Sequence, residues 1–358
     1  MPYLCHGCRS SEKKRNREEA SGNSATATAM SGKGNMESNE PQHQTSLMPT
    51  PAALAAEASA ALNETPRRLP TKLLYDDRGS ELFDQICRTP EYYPTRTELK
   101  LLEDFAEDVV QETDAGELLE LGAGMARKTH LLLSALSEQN DEVHYLPMDI
   151  SASALEEARR TVKKTMPKVN VQPVVGDYTR PLPSPPRNAP RMMAFLGSTI
   201  GNFTPEDGDK VMENTAACLA EGEWFLLGTD LVKPIDVLEA AYNDAAGVTA
   251  AFNKNILTVT NRLLDGDFQE DDFEHVAFFN EKASQIEIHL EAKRRVEVQL
   301  KASEQVLRFE SGERIATEVS RKFTRPGVEA LLDRNGYKMD GWFPSHNEYY
   351  ALSLARRK

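Results

Sequence analysis

Short apolar runs alternate with amphipathic stretches through the middle of the chain, and each run stops at a glycine or an acid. Leu118, Leu119 and Leu121 make the first run, which ends in Gly122-Ala-Gly124, and residues 129–136 follow with leucines at helical spacing. The strand, turn, helix unit then repeats. Residues 144–149 read as strand two, and Ser153 with Glu156 is expected to form a capping box for a helix carrying Leu155, Ala158 and Val162. Residues 170–175 read as strand three, ending in Gly176-Asp177-Tyr178. Residues 191–196 read as strand four, ending in the loop 197–203, with Thr204-Pro205 opening a helix. Residues 223–227 read as strand five, ending in Gly228-Thr-Asp230. Such repetition predicts an α/β fold with a doubly wound parallel sheet, which binds ligands at the carboxyl ends of its strands.

From Val232 the pattern changes. Residues 235–252 read as one helix, and 273–300 alternate like a hairpin with Ile286, Ile288 and Leu290 inward. Residues 315–323 read as a strand with Glu318 and Ser320 on one face and Thr317 and Val319 on the other. This predicts an antiparallel part inserted into the parallel one. Residues 324–335 should be a helix ended by Gly336, and 349–355 a last strand that rejoins the parallel sheet. At the other end, 51–62 has an alanine-rich helical pattern. Residues 72–98 are dense in tyrosine, with Pro94 fixing the chain beside Tyr92 and Tyr93 and Thr97 able to cap a following helix. Residues 1–48, rich in Ser, Asn, Glu, Thr and Gly, cannot bury enough to offset their ordering entropy and are expected to be disordered.

Composition narrows the classes. With 358 residues and 40% hydrophobic content the chain can bury one large core or two smaller ones. The net charge is −14 and the first fifty residues are close to neutral, so the acidity lies in the body and disfavours nucleic acid as a partner. No apolar run is long enough to span a membrane and the first residues do not read as a signal peptide, so a soluble cytoplasmic protein is expected. Cys5, Cys8, Cys87 and Cys218 are too scattered for a disulfide framework, and Cys5-His-Gly-Cys8 has no second pair to complete a zinc site. The basic cluster 13–17 reads as a solvated charge run.

The chemistry gathers at the strand ends. Gly122 and Gly124 let the backbone pass close to a ligand, and the helix that follows offers unpaired N–H groups. A dinucleotide site would have a third glycine where Arg127 stands, whereas Glu120-Leu-Gly-Ala-Gly opening a strand, turn, helix unit is the pattern of S-adenosylmethionine (SAM) methyltransferases. Asp149 stands where an acid accepts from ribose hydroxyls, and Asp177 where an adenine amino group would lie. Either could instead serve as a cap.

Taken together the chain resembles the SAM-dependent histidine Nα-methyltransferases of ergothioneine biosynthesis, which make hercynine (N,N,N-trimethylhistidine). The resemblance runs from about Leu69 to Arg357. It rests on Tyr75-Asp-Asp-Arg-Gly-Ser-Glu-Leu-Phe-Asp, Glu91-Tyr-Tyr-Pro-Thr-Arg-Thr-Glu, Glu120-Leu-Gly-Ala-Gly, Gly197-Ser-Thr-Ile-Gly-Asn-Phe, Tyr242-Asn-Asp-Ala-Ala-Gly-Val-Thr and Thr317-Glu-Val-Ser. It implies a Rossmann-like SAM methyltransferase domain, 97–232 plus 323–358, and an α+β substrate-binding domain, 49–96 plus 233–322, behind the tail 1–48. By position it implies that Tyr92 and Tyr242 hold the substrate carboxylate and that Tyr75, Asn202 and the Gly197 backbone orient the α-amine. Phe83 and Thr249 would line the pocket, and Glu318 and Ser320 would bind the imidazole beside Ile288, where the family usually has Met. Gly122, Gly124, Lys128, Asp149, Asp177 and Tyr178 would bind SAM as co-substrate. No metal is implied, and a monomer acting on free L-histidine is expected. The alternative is the same fold acting on another amino acid, such as a tryptophan derivative.

Overall fold

The computed structural model describes residues 50–124, 128–182 and 185–358. The Cys5/Cys8 pair, the basic cluster 13–17, the expected disorder of 1–48 and Arg127 lie outside them.

The first strand, Glu117–Leu121, is buried along its whole length, as expected of a strand covered on both faces. It pairs in parallel with Val143–Asp149 on one side and with Arg191–Phe195 on the other. Val169–Val171 extends the sheet beyond Val143–Asp149, and Trp224–Asp230 extends it beyond Arg191–Phe195. The chain therefore winds outward in one direction and returns to wind outward in the other, so the order reverses beside Glu117–Leu121. This is the predicted doubly wound sheet, and its switch point sets the turn at Gly122 beside the loop at Gly197.

Strand three is broken. Val169–Val171 pairs with residues 143–145 and Val174–Val175 with 148–149, because Pro173 between them has no N–H for the ladder. The cap of the next helix also differs from expectation. Ala152–Thr165 begins one residue before Ser153, so Ser151 accepts from the Ala154 N–H at 3.2 Å while Glu156 pairs with Arg159. Thr97 likewise lies inside the helix Tyr93–Gln111 and donates back to the Tyr93 carbonyl at 2.9 Å, so it is no cap. The helix opened at Thr204-Pro205 and the one expected from Thr324 are each capped by that threonine, which accepts a backbone N–H at 3.2 Å.

Tyr350–Arg357 rejoins the sheet antiparallel to Trp224–Asp230. It brings a further strand, Tyr337–Pro344, which lies at the edge and was not read from the sequence. Gly341 and Pro344 disguise it, and an edge position is where a sheet tolerates such residues.

The antiparallel part is a separate sheet. Phe273–Asn280, Gln285–Ala292 and Arg314–Arg321 are neighbours in it, with the short Arg67–Arg68 added in parallel at the far edge. Residues 296–300 leave the expected hairpin and pair with Gln305–Phe309. Helices Pro51–Leu62 and Val248–Leu264 share this sheet's core, in which Leu62, Phe252, Ile256, Ile288 and Leu290 are buried. The helix expected over 235–252 is two, Ile235–Ala240 and Val248–Leu264. Gly247 at φ 72° breaks it, and Asp244 accepts the freed N–H groups of Val248 and Thr249 at 2.9 and 2.8 Å. Tyr242 stands in that break, with its ring turned into the core.

One irregularity decides what the inserted sheet presents. Ile315 faces Leu290, yet Glu318 faces Ile288 and Ser320 faces Ile286, because Thr317 is an extra residue in the strand. Strict alternation from Ile315 would turn Thr317 and Val319 to the inner face. The bulge reverses this and sends Glu318 and Ser320 to the side of Ile286 and Ile288. The extra Thr317 donates its hydroxyl to the Ile288 carbonyl at 3.0 Å.

Candidate active site

At the switch point Gly122 and Gly124 take φ of 65° and 50°, a region that side chains seldom adopt. The Gly124 N–H donates to Asp149 Oδ2 and the Ser151 N–H to Asp149 Oδ1, both at 2.9 Å. Asp149 thus anchors the turn, and each oxygen keeps a lone pair for an outside donor. Burial raises its pKa, against the backbone N–H groups that favour the charged form. The Tyr178 ring comes within 3.8 Å of where a Cβ on Gly122 would lie. Asp177 spends Oδ1 on Thr179, whose N–H and hydroxyl donate at 3.0 and 2.5 Å. Its Oδ2 is buried without a hydrogen bond, with the Lys72 ammonium 3.6 Å away. A buried acceptor in that condition suits a ligand N–H, and the cradle as a whole suits an adenosine: open glycine backbone, an acid at the second strand end and an acceptor at the third.

The Lys128 ammonium contacts the fully buried Glu98. Glu98 Oε1 also accepts the Gly197 N–H and the Tyr350 hydroxyl, both at 2.7 Å. One carboxylate therefore joins the start of the first crossover, the loop after strand four and the last strand. Gly197 at φ 76° and Ser198 at φ 54° make the turn that delivers Asn202 from the short helix Thr199–Asn202.

Across from this stands a wall of rings. Tyr75 meets Phe83 at 5.7 Å between centroids, Phe83 meets Tyr92 at 6.2 Å, and Tyr92 meets Tyr242 at 6.0 Å, mostly edge to face. Tyr75 and Phe83 come from helical segments, Thr71–Tyr75 and Asp77–Ile86, and burial holds the Tyr75 and Tyr92 phenols well above their usual pKa. The polar partners face these rings. Asn202 donates its amide N–H to Glu318 Oε1 at 3.1 Å, and the Tyr242 hydroxyl donates to Ser320 Oγ at 2.8 Å. Burial pushes the Glu318 carboxyl up to about 7, with Lys322 pulling the other way. Ile288 is buried directly opposite Glu318. Thr249 is fixed by its N–H to Asp244, and its buried hydroxyl lacks a partner.

The structure thus gathers Gly122, Gly124 and Tyr178 beside Asp149, and Asn202 beside Glu318 with Tyr242 beside Ser320, while Lys128 and Gly197 meet on Glu98. It adds members that pattern reading passed over: Glu98, Tyr350, Asp230, Lys233 and Lys322. Glu98 and Asp230 stand in stretches already noted, but a charged residue in a short motif carries no mark of being buried. Their pairing partners are distant in sequence.

A glycine turn at an α/β switch point, with an acid at the next strand end, defines a class of adenosine-cofactor enzymes. Within that class the chain belongs to the SAM-dependent histidine-specific methyltransferases, whose family model matches residues 54–357. Among its relatives, a histidine N-alpha-methyltransferase of Mycolicibacterium smegmatis is 41% identical over 305 residues, covering 85% of this chain and 95% of that protein. Ergothioneine biosynthesis protein 1 of Schizosaccharomyces pombe is 28% identical over 76% of this chain but only 36% of its own length. An L-tryptophan methyltransferase of Psilocybe serbica is 28% identical, covering 80% of this chain and 88% of that protein.

Proposed function

We propose that the protein transfers three methyl groups from SAM to the α-amine of L-histidine, giving hercynine and opening ergothioneine biosynthesis. SAM, when bound, supplies an electrophilic methyl group. Residues 97–232 and 323–358 form the domain that holds it, with Gly122, Gly124, Lys128, Asp149, Asp177 and Tyr178 as contacts. Residues 49–96 and 233–322 form the substrate domain.

The chain's own task is to aim a neutral amine, which needs orientation more than a strong base. Asn202 spends its amide N–H on Glu318, so its carbonyl oxygen remains to accept from the amine. Tyr75 and the Gly197 backbone complete that subsite. The Tyr75 phenol is held neutral and can donate or accept as the amine's N–H count falls, while the faces of Tyr75 and Phe83 tolerate the quaternary product cation. Tyr92 and Tyr242 take the carboxylate. Phe83, Thr249 and Ile288 bound the pocket, and Glu318 and Ser320 read the ring with one acceptor and one hydroxyl.

The observation that carries this reading is the bulge at Thr317, which turns two polar residues to the inner side and sets one of them on Asn202. An imidazole offers two nitrogens to that pair. An indole has a single N–H and would leave Ser320 unmatched, which weighs against a tryptophan derivative. Kinetics of Glu318→Ala test the reading: histidine kcat/KM should fall at least about tenfold, the loss of one charge-assisted hydrogen bond, with tryptophan gaining relative to histidine. Retention of the parent preference would place specificity elsewhere.

A further inference from the structure

The carboxylate of an amino acid needs a positive counterpart when it leaves water, and the partners assigned to it, Tyr92 and Tyr242, are neutral phenols. A positive charge lies directly behind one of them. Lys322 is fully buried, and its ammonium donates to Tyr242 Oη at 2.9 Å, to Ser320 Oγ at 2.8 Å and to Asp230 Oδ2 at 2.8 Å, which uses its three N–H groups. It also lies 4.9 Å from the centre of the Tyr242 ring.

Asp230 does not need this lysine. Its Oδ1 accepts from the Lys233 ammonium at 2.5 Å, and the Tyr93 hydroxyl donates to both oxygens at 3.0 and 2.8 Å. Two buried ammonium groups therefore share one carboxylate. The Glu318 carboxyl, whose charge Lys322 also favours, is pushed up to about 7 by burial and offsets the second ammonium only in part, so a positive surplus remains and borders the pocket through Tyr242 and Ser320. Asp230 and Tyr242 keep Lys322 charged in spite of burial, whereas burial brings Lys233 down to about 8.

We infer that Lys322 is a positioning residue for the substrate carboxylate and acts through Tyr242, an inference that rests on the substrate reading above. The ammonium fills one lone pair of the phenol oxygen, which fixes the ring and polarises the phenol proton for donation to an anion. In the structure that proton goes to Ser320. Rotation about the phenol C–O bond turns it to a carboxylate, while Lys322 continues to hold Ser320. The resulting chain, ammonium to phenol to carboxylate, provides charge compensation without a cation exposed in the pocket.

Calorimetric titration of the full chain with histidine and with histidinamide, which lacks the negative charge, separates the effect. The wild type should prefer histidine. Lys322→Met should narrow that preference at least about tenfold by weakening histidine alone, with SAM affinity within about twofold of the parent as proof of an intact fold. Tyr242→Phe should narrow it similarly, and the double variant no further than Tyr242→Phe, because both changes remove one chain. If the methionine variant does not fold, Lys322→Gln, which keeps a polar head, gives the same reading. An unchanged preference, equal weakening of both ligands, or independent addition of the two changes would overturn the inference. A wild type that binds neither ligand would overturn the substrate reading itself, and this inference with it.

Discussion

Glu318 costs the fold something before it meets any ligand. Its carboxyl ionises near 4.5 when free in the chain and near 7 in the folded protein, because burial disfavours the charge more than Lys322 favours it. Between those values the folded state holds the extra proton, so this residue's contribution to stability falls as pH rises through the window and stays lowest above it. Glu318→Gln keeps an acceptor for Asn202 and removes the charge. Its melting temperature at pH 8 should exceed the parent's by roughly a few degrees, and the gain should vanish near pH 4. A gain independent of pH, or none, in calorimetry at the two pH values would contradict this account of the carboxylate. Burial raises the Asp149 pKa as well, but its two oxygens already anchor Gly124 and Ser151 through backbone N–H groups that favour the charge. Asp149→Ala should weaken SAM binding about ten- to a hundredfold, the loss of charge-assisted bonds, and unchanged affinity on titration would put Asp149 outside the cofactor group. The acid at a strand end was legible from its position after an apolar run. Lys322 was not, because nothing in Ser320-Arg-Lys322 distinguishes a lysine that faces solvent from one buried on an aspartate ninety-two residues earlier.

At the scale of elements, the short helix Thr199–Asn202 must lie against the strand Arg314–Arg321 for Asn202 to reach Glu318. Gly201 permits it: a Cβ there would meet the Arg321 carbonyl oxygen at 2.8 Å, and that obstacle is backbone and cannot swing away. Gly201→Ala should therefore push the two elements apart, reduce histidine kcat/KM by at least about tenfold and leave SAM affinity near the parent value. Kinetics and SAM titration check both halves, and a loss confined to SAM binding would contradict the placement. Apolar runs and helical patterns were enough to predict the parallel strands, because a strand buried on both faces is mostly apolar even where it carries a buried charge such as Glu120 or Arg191. They were insufficient at Thr317, where face assignment gave the right partners for Glu318 and Ser320 but no reason for them to point inward. The reason is a bulge, which no alternation pattern can display. The helix break before Val248 had a visible cause in Gly247, yet a single glycine inside an amphipathic pattern is often tolerated.

For the whole molecule, the loop after strand four meets the inserted sheet, with Gly201 against the Arg321 backbone and Asn202 on Glu318. Glu98 ties the parallel sheet's side together, accepting from the loop after strand four and from the last strand while it meets Lys128. Every residue given a role lies beyond residue 70 and the family match begins at 54. Removal of residues 1–48 should therefore leave histidine turnover and melting temperature close to the parent values, and a large loss of either would assign the tail a part in the fold or the site. Among the described residues no helix is long and apolar enough to cross a membrane. Mass spectrometry of the products formed from SAM and a mixture of the proteinogenic amino acids reads the reaction itself. Histidine should be consumed and its trimethylated form should accumulate, with the other amino acids unchanged. Preferential methylation of another amino acid, or histidine that stops at one or two methyl groups, would contradict the proposed reaction.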